Sequence, residues 1–152
     1  MFTNGFSEGN LMWKFQFGKL FWGKINERKV IVKIWEYPEM YKVFEGDNEG
    51  RVRDEIELLQ HPKLIGHPNL VKLVGYCYDE QQLGTVYDLD PLGSVYELAP
   101  KGCFTWLHRI KVAYEFACLL KFLHIRNPPY ESCLVRSIDA AHIMLDKEYT
   151  PE

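Results

Sequence analysis

Three β-prone runs crowd into the first 35 residues: WKFQFG (13–18), KLFWGKI (19–25) and KVIVKIW (29–35). They are rich in the aromatic and β-branched side chains that suit a pleated, half-buried surface. The break at Asn26–Arg28 joins the second and third as a hairpin. Two further runs, NLVKLVGYCYDE (69–80) and QLGTVYDLD (82–90), read as an antiparallel pair with a turn near Asp79–Gln82. A chain that begins this way is committed to an antiparallel sheet, and the remaining elements must pack around it.

Helical spacing appears in two places. EYPEMYKVFEGDNEG (36–50) is a loop by its proline, glycines and charges. From Asn48 a helix is expected, with Val52, Ile56 and Leu59 recurring on one face and Arg51, Asp54, Glu55 and Glu57 on others. HPKLIGHP (61–68) ends it. After Pro91 and Gly93 a short helix, Ser94–Leu98, precedes a long one that Thr105 caps and that runs to about Arg126. Its stripe is Trp106, Ile110, Ala113, Ala117, Leu120 and Leu123. Val112, Phe116, Leu119 and Phe122 widen it almost all round, so this helix calls for burial on several sides. NPPY (127–130) stops it. The fold class is α+β: a complete five-stranded antiparallel unit with one helix (1–90), then a helical unit (91–152).

Composition narrows the function. A net charge of −3 with no local basic cluster gives no footprint for nucleic acid or an anionic membrane. Cys77, Cys103, Cys118 and Cys133 form no CxxC pair, so neither zinc nor a disulfide framework is expected, and the thiols read as reduced. No apolar run approaches the roughly 18 residues of a membrane span. The N-terminus lacks a basic-then-apolar signal, and Phe2 stands where myristoylation needs glycine. The expectation is a cytoplasmic protein with no direct membrane insertion.

Six stretches in register carry a resemblance: TNGFS (3–7), VIVKIW (30–35), HPNLVKLVGYC (67–77), VYDLDPLGSV (86–95), FTWLHRIKVAYEFACLLKFLH (104–124) and IDAAHIMLD (138–146). Together they resemble the protein kinase domain, in particular that of plant receptor-like and receptor-like cytoplasmic serine/threonine kinases. The resemblance implies a protein-kinase-like fold with a complete N-lobe (1–90) and the truncated helical start of a C-lobe (91–152: hinge, long helix, catalytic loop). It implies a nucleotide site as well. Gly18 matches the last glycine of the phosphate-covering loop, whereas Trp13 and Phe15 stand where the first two glycines let backbone approach the phosphates. Lys33 matches the lysine that holds the α- and β-phosphates, and Glu55 its partner on the following helix. The connection QHPKLIGHP (60–68) after that helix is about three residues longer than the family pattern. Tyr87 falls at the gatekeeper position, and Asp88, Leu89 and Asp90 form the hinge whose backbone would meet adenine.

The family's catalytic loop reads H-R-D-x-K-x-x-N, in which aspartate takes the substrate proton, lysine steadies the γ-phosphate and asparagine binds magnesium. Aligned without a gap, Arg136 is kept, but Val135 replaces histidine, Ser137 the aspartate, Asp139 the lysine and His142 the asparagine. Serine is no general base at neutral pH without a base of its own. An aspartate in place of a cation repels the phosphate it should clamp. Ile138, Ala140, Ala141, Ile143, Leu145 and Asp146 keep the frame because the frame packs the fold. Asp139, His142 and Asp146 have metal-ligand chemistry but lack a second histidine or a cysteine nearby, and no metal site is expected.

The expectation is therefore a degenerate, pseudokinase-like domain: no catalytic residues, no required cofactor, at most weak ATP binding through Gly18, Lys33, Glu55, Asp88 and Leu89, and no magnesium. Its partners would be other kinases or receptor complexes in plant signalling, which could bring it to the plasma membrane. Two alternatives stand beside it: a serine/threonine kinase whose C-terminal part lies outside this chain, and a truncated gene product with no function. The family's next strand, DFG aspartate, activation segment and later helices would follow KEYTPE (147–152), and without them the long helix would be left partly uncovered.

Overall fold

A computed structural model of the chain describes residues 3, 5–15, 17–36, 47–78, 82–124 and 139–152. The chain divides into two units, Met1–Asp90 and Pro91–Glu152.

The first unit is built on a five-stranded sheet. Strands β1 (Leu11–Phe15), β2 (Gly18–Ile25), β3 (Arg28–Trp35), β4 (Leu73–Tyr78) and β5 (Leu83–Tyr87) lie in the order β1-β2-β3-β5-β4, every pair antiparallel. Asn26 and Glu27 turn the β2–β3 hairpin with φ of 47° and 67°. A two-residue loop with both centres at positive φ twists with its strands, and this fixes the register from Ile25↔Arg28 to Gly18↔Trp35. The expected strand pair 73–78 and 83–87 is present, although its turn (79–81) lies outside the described residues.

β3 is the central strand and is buried on both faces. Val30, Val32 and Ile34 point one way and join Phe21, with Leu11, Ile25 and Val86 packed against them. Each such side chain removed from water contributes about 1.5–3 kcal/mol. Ile31, Lys33 and Trp35 point the other way, as the two-residue alternation of a strand requires. There Lys33 reaches Glu55 of helix α1 (Asp47–Leu59), whose Val52 and Ile56 are buried. Gly18 is needed at its position because a Cβ there would stand 1.9 Å from the carbonyl oxygen of Ile34.

The second unit packs β6 (Gly93–Ser94), α2 (Val95–Leu98), α3 (Trp106–His124) and β7 (Met144–Leu145). Ser94 and Glu97 cap α2 reciprocally. The Thr105 hydroxyl accepts the His108 amide at 3.4 Å and starts α3 where expected. Residues 125 and 126 lie outside the described residues.

One expectation is corrected here. The buried seam of α3 is Val112, Leu119 and Leu123 with half-buried Phe116, whereas Trp106, Leu107, Ile110 and Tyr114 are exposed. In a helix apolar almost all round, periodicity cannot choose the buried face. The neighbours choose it. Val112 meets Leu98, Phe104 and fully buried Leu145, with Ile143 and Tyr149 at the margin. Met144 and Leu145 of the 139–146 frame are thereby core, and Leu92 and Val95 donate their amides to the carbonyls of Leu145 and Ile143 at 2.7 and 2.9 Å.

Candidate nucleotide-binding site and catalytic loop

Lys33 and Glu55 meet at the face of β3 that looks toward α1. The Lys33 ammonium donates to Glu55 Oε2 at 2.6 Å, with both side chains about four-fifths buried. The longer connection after α1 therefore leaves Glu55 in register with Lys33. The other carboxylate oxygen, Oε1, accepts from the Thr85 hydroxyl at 3.2 Å and from the Tyr87 phenol. Thr85 and Tyr87 share one face of β5, two residues apart, and their hydroxyls are 2.7 Å apart. Burial, and then the Glu55 charge, push the Tyr87 phenol well above its ordinary value, against a smaller opposing effect of Thr85. Tyr87 therefore stays protonated and donates. Glu55 is fixed from three sides.

Aromatic rings enclose the lysine. Its ammonium lies 4.1 Å from the ring centroid of Trp35 and 5.4 Å from that of Phe15. The two rings meet edge to face at 5.5 Å. Phe15, at one glycine position of the family loop, is thus brought to Lys33, while Trp13 stands in the β1–β2 ladder opposite Leu20. The Trp35 indole nitrogen is buried with no hydrogen-bond partner among the described residues. On α1, the Arg51 guanidinium lies 3.6 Å from the centroid of Phe17. Sequence reasoning singled out neither Trp35, Phe17, Arg51 nor Thr85. The alternation that puts Trp35 beside Lys33 and Thr85 beside Tyr87 was the available signal.

At the hinge, Asp88 is paired with Arg28 at 3.1 Å and Lys72 at 3.8 Å, and Asp90 with Lys29 at 2.9 Å. The Asp88 amide donates to the Lys72 carbonyl at 2.9 Å. Leu89 is buried.

In the second unit, Asp139 Oδ1 accepts the amides of Ala141 and His142 at 2.7 and 3.2 Å, and its Oδ2 lies 2.9 Å from His142 Nδ1. Asp146 likewise accepts the amides of Glu148 and Thr150, both at 2.8 Å. Val135, Arg136, Ser137 and Ile138 lie outside the described residues. Among the described residues no three His, Cys, Asp or Glu side chains are grouped to hold a metal ion, and no helix is long and apolar enough to cross a membrane.

The family model for protein tyrosine and serine/threonine kinases matches residues 10–150. The chain belongs to the protein kinase family. The five-stranded sheet with its helix is this family's N-lobe, and the second unit is the start of its C-lobe. Among curated proteins, the chain is 33% identical to serine/threonine-protein kinase PBL13 of Arabidopsis thaliana, over 97% of its own length and 30% of the relative's. It is 32% identical to the EPD1-interacting receptor-like cytoplasmic serine/threonine-protein kinase of Nicotiana benthamiana, over 97% and 32%. To the proline-rich receptor-like protein kinase PERK13 of Arabidopsis thaliana it is 29% identical, over 97% and 20%. The chain spans about a third or less of the length of these kinase relatives.

Proposed function

We propose that this kinase-family chain does not transfer phosphate and acts as a pseudokinase scaffold, an interaction module for other kinases or receptor complexes. The observation that carries this reading is the use made of Asp139. Where the family pattern has a cation for the γ-phosphate, this chain has a carboxylate engaged with its own loop amides and with His142. His142, in the place of the magnesium-binding asparagine, has a ring nitrogen turned to Asp139. With Ser137 in the place of the catalytic aspartate, base, clamp and metal ligand are replaced together.

These residues do not suit a magnesium–triphosphate complex, and no cofactor is required for a scaffold. Weak, magnesium-independent ATP binding is the most that Gly18, Lys33, Glu55, Asp88 and Leu89 would support. The relatives' names supply the setting: a receptor-like cytoplasmic kinase named for a protein it interacts with. On this reading the chain works in the cytoplasm, with a partner bringing it to the plasma membrane.

A second reading is favoured by one observation, the formed Lys33–Glu55 pair. It is a serine/threonine kinase whose remaining parts lie outside this chain. Radiolabelled phosphotransfer from magnesium ATP decides between them: turnover above a Lys33→Ala control supports the kinase, and turnover equal to that control supports the scaffold.

A further inference from the structure

We infer that Phe15 and Phe17, at the end of the β1–β2 hairpin, form a built-in cover over Lys33, latched to α1 by Arg51, that excludes phosphate from the lysine. The inference deepens the scaffold reading and rests on its assignment of Lys33 as the phosphate-side lysine.

Five contacts hold this end of the hairpin down on β3, Glu36 and α1. Gly18 lets the hairpin approach so closely that the Ile34 carbonyl fills the space of a Cβ. The Phe17 carbonyl accepts the Glu36 amide at 2.8 Å, and Lys19 pairs with Glu36 at 2.7 Å. Phe15 then lies edge to face on Trp35, and both rings face the Lys33 ammonium. Arg51 and Glu55 are four residues apart on α1 and so share one face of the helix. From that face Glu55 takes Lys33 and Arg51 lies over Phe17.

The outcome is a closed set. The ammonium's charge is met by Glu55 and by two ring faces, which attract cations through their quadrupoles. A phosphate reaching Lys33 must displace Phe15 from both Trp35 and the lysine. Phe17, two residues on, is itself held by Arg51 and Glu36. A glycine-rich loop does the reverse, leaving its backbone amides open to phosphate oxygens. Here α1 is docked by contacts internal to the lobe, and no nucleotide is needed to bring it in.

The test is magnesium-free ATP titrated by calorimetry into the full chain and its variants Phe15→Gly, Arg51→Ala and Phe15→Gly with Lys33→Met. Opening the cover should tighten ATP binding about tenfold or more in Phe15→Gly, with a smaller gain in Arg51→Ala. Lys33→Met should cancel the gain. A folded Phe15→Gly that binds no better than the parent overturns the cover, as does a parent that already binds ATP in a Lys33-dependent way. Should Phe15→Gly fail to fold, Arg51→Ala, which changes no strand residue, carries the test, and absence of any gain there overturns it. Phosphotransfer in the parent would instead sink the scaffold reading, a separate outcome from these binding results.

Discussion

Lys33 and Glu55 are 22 residues apart on different elements, yet their side chains meet at 2.6 Å about four-fifths buried. A carboxylate held so deeply has lost most of its water and depends on its partners, here one ammonium and two hydroxyls. Removing the cation leaves a charge with hydroxyl partners only. Lys33→Ala should therefore destabilise the chain by about 1–3 kcal/mol without any nucleotide present. Urea unfolding checks it. The pair Lys33→Met with Glu55→Gln should cost less than the two single changes summed, because the second removes the orphaned charge. A stability difference seen only with ATP present would contradict a structural role.

Tyr87 gives a pH signature. Its phenol is held well above the ordinary tyrosine value by burial and the Glu55 charge, and the unfolded chain ionises near that ordinary value, about 10. Above about pH 10 the unfolded state therefore binds fewer protons than the folded state. The contribution of Tyr87 is complete below that pH and is lost as pH rises toward the folded value, with a limiting slope of about 1.4 kcal/mol per pH unit. Tyr87→Phe should flatten the alkaline limb of the stability profile while leaving the other tyrosines to titrate as before. An unchanged slope would mean that Tyr87 ionises equally easily in both states.

The two faces of α3 should respond oppositely to substitution. Val112 and Leu119 are 6% exposed each, whereas Trp106 and Leu107 are 72% and 76% exposed. Leu119→Ala should cost about 2–5 kcal/mol through lost burial and a cavity. Trp106→Lys should change stability by about 0.5 kcal/mol or less and reduce hydrophobic-dye binding. Equal costs on both faces would mean that the exposed face is covered in solution.

Rebuilding the loop should not build an enzyme. Ser137→Asp, Asp139→Lys and His142→Asn together restore the letters of base, clamp and metal ligand. The change at Asp139 also removes the acceptor of the Ala141 and His142 amides, a loss comparable to that of a helix cap, about 0.5–2 kcal/mol. Phe15 still stands over Lys33. Catalytic residues that act as a unit are strongly non-additive, so partial repair returns little. The triple variant should match the same variant carrying Lys33→Ala in radiolabelled phosphotransfer. Lysine-dependent turnover would refute this.

The sequence determined the strands, both principal helices, the Thr105 cap of the second and the family. Those features are local: alternation in KVIVKIW, the Asn26–Glu27 turn, the Thr105 cap, and motifs whose spacing needs no third dimension. It also showed which chemical letters had changed at Asp139 and His142. It did not name the partners of the replacements: Asp139 turns to its own loop amides and His142, a local bonding choice that the letters alone leave open. Phe15 lying on Trp35 and Arg51 lying over Phe17 are set by where the hairpin, β3 and α1 come together. The same holds for α3. Its sequence offers apolar residues on nearly every side, and only packing against Leu98, Phe104 and Leu145 selects Val112, Leu119 and Leu123 for burial. Backbone periodicity is written in nearest neighbours, whereas side-chain pairing is decided by residues far apart in the chain.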